Sequence, residues 1–241
     1  MANSDEILKK TVVVAAGLPG VHIDRGSYLR ATLRRFCPAD QVDEAVEKTP
    51  ADANVSTAVI NQAAKSAIRL ETTRVSSISA VAGIPGGFAM VGTVPVDAAQ
   101  YFGHMIRISQ KLAYLYGWPD LFDEEGQMDD ATLNLLILFL GVMMGVNAAN
   151  AGISQVAKML ADQALKQLPK QALTKGVIYP IVKKVAAQLG VTMTKQIFAR
   201  GVAKTVPILG GILSGGMTLA LFAPMSRKLQ RHLASAPIVG P

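Results

Sequence analysis

The chain has 241 residues, of which 50% are hydrophobic and 17% charged, and its mean hydropathy is +0.32. One domain of this length can bury most of the apolar surface, and no run of 18 consecutive apolar residues predicts a membrane span. The single cysteine, Cys37, excludes an intramolecular disulfide and fits a reducing cytoplasm, and the charged N-terminus argues against a signal peptide.

The net charge of +7 is unevenly distributed along the chain. Residues 1–50 are neutral overall, and residues 51–130 hold five basic and nine acidic side chains. Residues 131–241 hold twelve basic side chains and one acidic side chain, Asp162. A basic half predicts an anionic partner, either lipid headgroups or nucleic acid, and the alternative is a solvated lysine-rich surface.

Residues 1–50 are expected to form an N-terminal helical segment that packs on the main domain. Asn3 to Glu6 has capping-box spacing, so a helix is expected there, and the Gly-Leu-Pro-Gly turn at 17–20 follows it. Thr11 to Val14 is the one run in the chain that could form a strand. Amphipathic helices are predicted over Asp24 to Phe36 and Asp40 to Lys48.

A long alanine-rich helix is predicted from about Asn54 to the break at Gly83, with its partner helix starting at Asp97. Asp97 is expected to cap that helix, which ends at Gly117 in the C′ position. His104, Arg107 and Lys111 recur on one face of it. We interpret this face as solvated, with contact to an anion or headgroup as the alternative.

The Gly-Ile-Pro-Gly-Gly turn, the Pro-x-Asp helix start and the Ala-x-x-Tyr-Gly helix end (Ala113 to Gly117) resemble the core of the EcsC family. The likeness runs from about Val42 to His232. That bacterial family is named after the third product of an operon whose first two products form an ABC transporter. The resemblance implies a helical domain over residues 51–233 and a bacterial membrane setting, and its motifs carry no catalytic residue.

The second half of the chain reads as helices separated by glycine and proline. An acidic connector spans 120–130, and Asp129 and Asp130 are placed to cap an apolar helix over Leu133 to Val146. Helices over 158–204 are expected to break at Pro169, Gly176, Pro180, Gly190 and Gly201. Residues 234–241 are expected to form a frayed tail. The fold class is therefore predicted as all-α, a compact multi-helix domain with Gly/Pro-broken apolar hairpins.

Three windows of 22, 27 and 22 residues lack charge, at 75–96, 131–157 and 205–226. Each has a glycine pair at i, i+4, which lets helices approach closely in membranes and in tight soluble cores alike. Leu133 to Ile153 is the one candidate for a single span. The other two windows are expected to form hairpins, the third turning near Gly210 to Gly216. The hairpin motif residues are Gly83, Pro85, Gly86, Gly87, Pro95, Asp97, Gly210, Gly211, Gly215 and Gly216.

No catalytic constellation, metal site or cofactor motif is found in the sequence. The histidines His22, His104 and His232 lie far apart, the acidic connector lacks EF-hand spacing, and Pro85-Gly86-Gly87 lacks P-loop residues. The basic half has few aromatic side chains to stack on bases, so nucleic acid is not favoured as a partner.

The predicted function is non-enzymatic association with the inner leaflet of a bacterial membrane, from the cytoplasm. Cations attract anionic lipid, and the apolar hairpins at Gly83–Pro95 and Val206–Pro224 then embed, with deeper insertion perturbing the bilayer. A soluble adaptor that docks on a membrane protein such as an ABC transporter, a self-associating protein and a hydrolase of unrecognised type stay open. The expected lipid contacts are Lys183, Lys184, Lys195, Arg200, Lys204, Arg227, Lys228 and Arg231.

Overall fold

A computed structural model describes the backbone of residues 4–81, 90–91, 94–123, 125–162, 167–203, 210–235 and 238. Side chains are described for the same residues except 76–97 and 193–220. These ranges hold the helices α1 (Ser4–Ala16), α2 (Arg25–Leu33), α3 (Ala39–Glu47), α4 (Thr57–Val81), α5 (Val96–Leu115), α6 (Asp130–Met144), α7 (Asn147–Asp162), α8 (Lys170–Thr174), α9 (Tyr179–Ala203) and α10 (Gly210–Ser235). A two-residue antiparallel ladder joins Met90–Val91 to Val94–Pro95. The predicted all-α class is confirmed.

The predicted strand at Thr11 to Val14 is wrong, because these residues lie inside α1. Leu8, Val12 and Ala15 are fully buried at helical spacing, and the Thr11 hydroxyl donates to the Ile7 carbonyl at 2.8 Å. That bond satisfies the hydroxyl within the helix. Packing of this apolar stripe against α5 and α9 therefore overrides the strand preference of β-branched residues.

The Arg25 side chain joins three parts of the chain. Its guanidinium donates to the carbonyls of Trp118, Val46 and Lys48 at 3.1, 2.6 and 2.7 Å. Asp24 caps the same helix by accepting from the Ser27 amide at 2.7 Å. The short N-terminal helices are thereby fixed to the end of α5.

Helix α6 is the central helix of the core, with twelve of its fifteen residues buried. Asp129 accepts from the Thr132 amide at 2.8 Å, which confirms the predicted cap. Gly145 ends the helix at φ 81°, and α7 starts two residues later. The proposed span from Leu133 to Ile153 is therefore wrong, since the chain turns in its middle. Among the described residues no helix is long and apolar enough to cross a membrane.

Two predicted helix breaks do not occur. Gly190 and Gly201 lie inside α9, and the turn expected between Gly210 and Gly216 is instead the first part of α10. A glycine inside a helix costs about 1 kcal/mol relative to alanine, which tertiary packing can offset. At Gly190 a Cβ would meet the backbone of Ser4, so the glycine is needed for the close approach of α1.

The tail is anchored at Ile238, which is buried and whose amide donates to the Tyr116 carbonyl at 3.0 Å. It packs beside Gly117, where φ is +86° and a Cβ would collide with the Ile238 carbonyl. The predicted C′ role of Gly117 is confirmed, since the amide of Trp118 bonds the carbonyl of Ala113 at 3.0 Å. At this residue the tail is therefore not frayed.

Three long helices have directions that follow from side-chain contacts. Helices α4 and α5 are antiparallel, because Asn61 bonds Tyr116 at 2.9 Å near one end and Glu71 bonds His104 further along. Helix α10 runs parallel to α5, because Gln230 contacts Tyr116 and Phe222 stacks on the Tyr101 ring. The C-terminal end of α4 and the N-terminal ends of α5 and α10 therefore lie at the same end of this group. We call it the window end, with Val81, Val96 and Gly210 as its helix termini.

Candidate functional site

A buried charge cluster joins α4 to α5 around Glu71, whose side chain is fully inaccessible to solvent. Its Oε1 atom lies 2.7 Å from His104 Nδ1 and 3.0 Å from Arg107 Nε, and its Oε2 atom lies 2.7 Å from Lys111 Nζ. Arg74 approaches the same carboxylate at 3.8 Å from the solvent side. One carboxylate thus meets cations or hydrogen-bond donors from four side chains.

The interpretation of His104, Arg107 and Lys111 as a solvated face is wrong. Their side chains are only 12%, 18% and 7% exposed, since positions i, i+3 and i+7 face the neighbouring helix. The sequence held a signal for their partner. Glu71 falls in the buried register of α4, between Ile68 and Val75, and a carboxylate on an apolar face requires paired donors.

The pKa of Glu71 shows what this cluster can do chemically. Burial acts to raise that pKa, but the His104 hydrogen bond and the Lys111 ammonium outweigh burial and lower the pKa to about 2. Burial lowers the pKa of Lys111, and the Glu71 charge opposes that effect. A carboxylate that stays ionised and fully engaged is a poor general base. We therefore interpret the cluster as an electrostatic lock between α4 and α5.

Five of the predicted lipid-contact residues have described side chains, and all five are exposed. None of them forms an ion pair with a described carboxylate, whereas Lys170 of the same basic half pairs with Asp129 at 2.8 Å. The ammonium of Lys183 also lies over the Tyr179 ring, 5.5 Å from its centroid. The five residues are Lys183, Lys184, Arg227, Lys228 and Arg231. Lys195 and Arg200 lie in α9 with undescribed side chains, and Lys204 lies outside the described residues.

Further exposed cations, missed by sequence reasoning, lie on α4. Lys65, Arg69 and Arg74 are exposed there beside Leu70, which is 50% exposed. Residues 51–130 are acidic overall, so a count of net charge by segment does not reveal these three cations. Because Glu71 points inward, the outer face of α4 presents only cations and uncharged side chains over residues 62–74.

The structure describes only some of the glycine and proline residues of the predicted hairpins. Gly83, Pro85, Gly86 and Gly87 lie outside the described residues. Pro95 pairs with Met90 in the short ladder, and α5 begins at Val96, one residue before the expected cap Asp97. Gly210, Gly211, Gly215 and Gly216 lie in the first part of α10.

No known family model, curated protein or solved structure matches the chain. Within the described ranges, no group of three or more His, Cys, Asp or Glu side chains is arranged to hold a metal ion.

Proposed function

We propose that the chain is a non-enzymatic, EcsC-like protein that binds anionic membrane surfaces from the bacterial cytoplasm, with the window end facing the lipid. The observation that carries the proposal is the direction of α4, α5 and α10. Two of the three uncharged windows, 75–96 and 205–226, border the helix termini Val81, Val96 and Gly210. Apolar chain segments that are distant in sequence are thus attached to one end of the molecule.

Exposed apolar side chains near the middle of α4 and α10 support the proposal. Leu70 and Leu221 are 50% and 48% exposed, two of the six large hydrophobic side chains with such exposure among the described residues. Leu221 precedes Phe222, which packs edge-on against Tyr101. Leu70 precedes Glu71 about one turn further from the window end, opposite His104. Full burial of an exposed leucine contributes roughly 1.5–3 kcal/mol, so the exposed halves of these two side chains together contribute about as much as one leucine to a reversible membrane affinity.

Cations border these apolar side chains. Arg69 and Arg74 flank Leu70 in the sequence, and Arg227 lies less than two turns from Leu221 on α10. Helix α9 ends at Ala203, so at most about 25 Å of extended chain separates its basic C-terminal part from Gly210. Each lysine or arginine near an anionic surface contributes about 1 kcal/mol, and salt screens that contribution.

The adaptor hypothesis uses the same surface with a protein as partner. Exposed leucines and exposed cations on α4 and α10 would also fit an acidic, apolar patch on a membrane protein. Binding of that kind would not depend on the charge of the lipid, and this difference separates the two hypotheses.

Flotation of the purified protein with vesicles tests the proposal. We expect binding to vesicles of phosphatidylglycerol in phosphatidylcholine, release at high salt, and little binding to phosphatidylcholine alone. The double variant Leu70→Gln/Leu221→Gln should float at least about tenfold less at limiting lipid, because two apolar contacts are lost without a change of charge. Dye release from the same vesicles measures any perturbation of the bilayer.

Val177→Gln is the matched control. Val177 is 71% exposed but lies near α8, which packs on the first half of α6 through the bond from Asn134 to the Leu173 carbonyl. This variant should float like the wild-type protein. Failure to float on any vesicle, or an equal loss in both variants, would contradict binding through the window end.

A further inference from the structure

An open cavity of about 420 Å³ lies between the turn from α6 to α7 and the C-terminal part of α10. Its volume falls within the roughly 300–1,000 Å³ typical of small-ligand sites. It lies further along α10 than Leu221 and outside the Glu71 cluster. Its lining residues are Val142, Gly145, Asn147, Asn150, Lys228, Arg231, His232 and Ser235.

The charge of this cavity is of one sign. Lys228 and Arg231 line it, no carboxylate among the described residues does, and neither cation is paired with a described acidic side chain. Lysine and arginine on consecutive turns of one helix repel each other, so their placement in one concavity carries an electrostatic cost. An anion bound between them would remove that cost.

The rest of the lining adds donors. His232 Nε2 donates to the Asn150 carbonyl at 3.1 Å, which holds the ring against α7 at the edge of the cavity. The amide side chains of Asn147 and Asn150 lie in the first turn of α7, where the positive end of the helix dipole reinforces anion binding. The cavity thus combines two cations on α10 with neutral amide donors at the start of α7.

Gly145 permits this arrangement. Its φ of +81° favours glycine, and a Cβ at this position would lie 3.1 Å from Lys228 Nζ. The turn that ends α6 therefore brings the lysine ammonium against the backbone at the cavity wall. A lysine, an arginine and amide donors around one concavity suit the tetrahedral oxygens of phosphate.

We propose that this cavity binds a phosphate group, carried either by a small soluble phosphoester or by a lipid headgroup. A phosphomonoester suits it best, because its second negative charge matches the two cations. Lys228 and Arg231 are also among the expected lipid contacts, but neither Leu70 nor Leu221 lines the cavity, so the two experiments test different residues.

Titration of the full chain with defined phosphates tests the site. Inorganic phosphate and glycerol 3-phosphate are titrated by calorimetry and by NMR of the His232 ring, whose resonances should shift on binding. Vesicles containing phosphatidic acid, compared at equal charge with phosphatidylglycerol, provide the headgroup arm. The double variant Lys228→Gln/Arg231→Gln should bind at least about tenfold more weakly, because two charge-assisted hydrogen bonds are lost.

Lys183→Gln/Lys184→Gln is the control, because it removes the same charge from exposed positions on α9 outside the cavity. Soluble phosphate bound by the wild type and the control, and lost in the cavity variant, supports a phosphoester site. The same pattern confined to phosphatidic acid vesicles supports a headgroup site. Absence of binding in both arms, or equal losses in the two double variants, would overturn the proposal, whatever the outcome of the Leu70 and Leu221 experiment.

Discussion

Glu71 determines how α4 and α5 meet, because its carboxylate is fully buried and takes donors from both helices. The desolvation cost of such a charge is several kcal/mol and is recovered only when its partners are in place. Neither helix can slide along the other without breaking one of the contacts to His104, Arg107 or Lys111. The cluster therefore contributes specificity of register as well as stability.

Replacement of Glu71 by Gln is expected to lower the free energy of unfolding by about 3–5 kcal/mol, because it leaves buried cations unpaired. Urea denaturation followed by fluorescence of the buried Trp118 measures this change. Glu44→Gln is the matched control, since it removes an exposed ion pair with Lys48 that is worth at most about 1 kcal/mol. Equal effects of the two substitutions would contradict the assignment of the cluster as a lock.

Acid should weaken the same lock. The pKa of Glu71 is lowered from 4.5 to about 2, so its carboxylate stabilises the fold fully above pH 4.5. That stability is lost as the pH falls from 4.5 through about 2, and it amounts to about 3 kcal/mol. We expect the difference in unfolding free energy between the wild type and Glu71→Gln to shrink over this window. A difference that stays constant with pH would show that the carboxylate charge is not the source of the stability.

At the scale of elements, the two glycines of the pair Gly141/Gly145 have different structural roles. Gly145 ends α6 in the left-handed conformation, whereas Gly141 lies inside α6 at a point of close contact. A Cβ on Gly141 would lie 2.6 Å from Val185 Cγ1 and 2.7 Å from Ala149 Cβ. In this window the spacing typical of membrane helices therefore serves packing of α6 against α7 and α9.

Gly141→Ala is expected to destabilise the protein by up to about 2 kcal/mol. Overpacking costs typically 1–3 kcal/mol, and the better helix propensity of alanine returns about 1 kcal/mol. Gly26→Ala in α2 is the control, because its Cβ would make ordinary contacts, at 3.4 Å to the flexible end of Arg30 and 3.5 Å to Val46. Thermal unfolding of both variants measures the change in stability, which should be larger for Gly141→Ala than for Gly26→Ala. A stabilised Gly141→Ala protein would mean that α6 and α9 are less tightly packed than the structure indicates.

Local signals in the sequence predicted most of the element boundaries. Capping by Asp24 and Asp129 and the C′ glycine Gly117 are short-range effects, so the residues alone carry them. The continuity of α9 and α10 through their glycines could not be predicted, because it depends on packing partners distant in sequence. The same reason explains the failure of the single span, since only the tertiary structure shows the turn at Gly145.

At the scale of the whole molecule, the fold class followed from periodicity, whereas the candidate site did not. The polar face of α5 was visible as a pattern, but whether it meets water or Glu71 depends on how α4 packs. The exposed cations of α10 were found from charge counts, but the concavity around Lys228 and Arg231 requires the turn between α6 and α7. The exposed cations Lys65, Arg69 and Arg74 could be separated from Glu71 only in the structure, where the carboxylate is buried.

The directions of α4, α5 and α10 predict how the molecule sits on a membrane. We attach an environment-sensitive fluorophore to the cysteine of Leu221→Cys in a Cys37→Ser background. Its emission should shift to the blue on anionic vesicles, because position 221 lies in the half of α10 that is nearer the window end. The same label at position 177, which lies near α8 and the first half of α6, should remain in water. Trp118 is fully buried, so its emission should stay unchanged if binding leaves the core folded. Equal blue shifts at both positions would mean that the protein lies flat or unfolds on the surface, and a shift at 177 alone would reverse the proposed orientation.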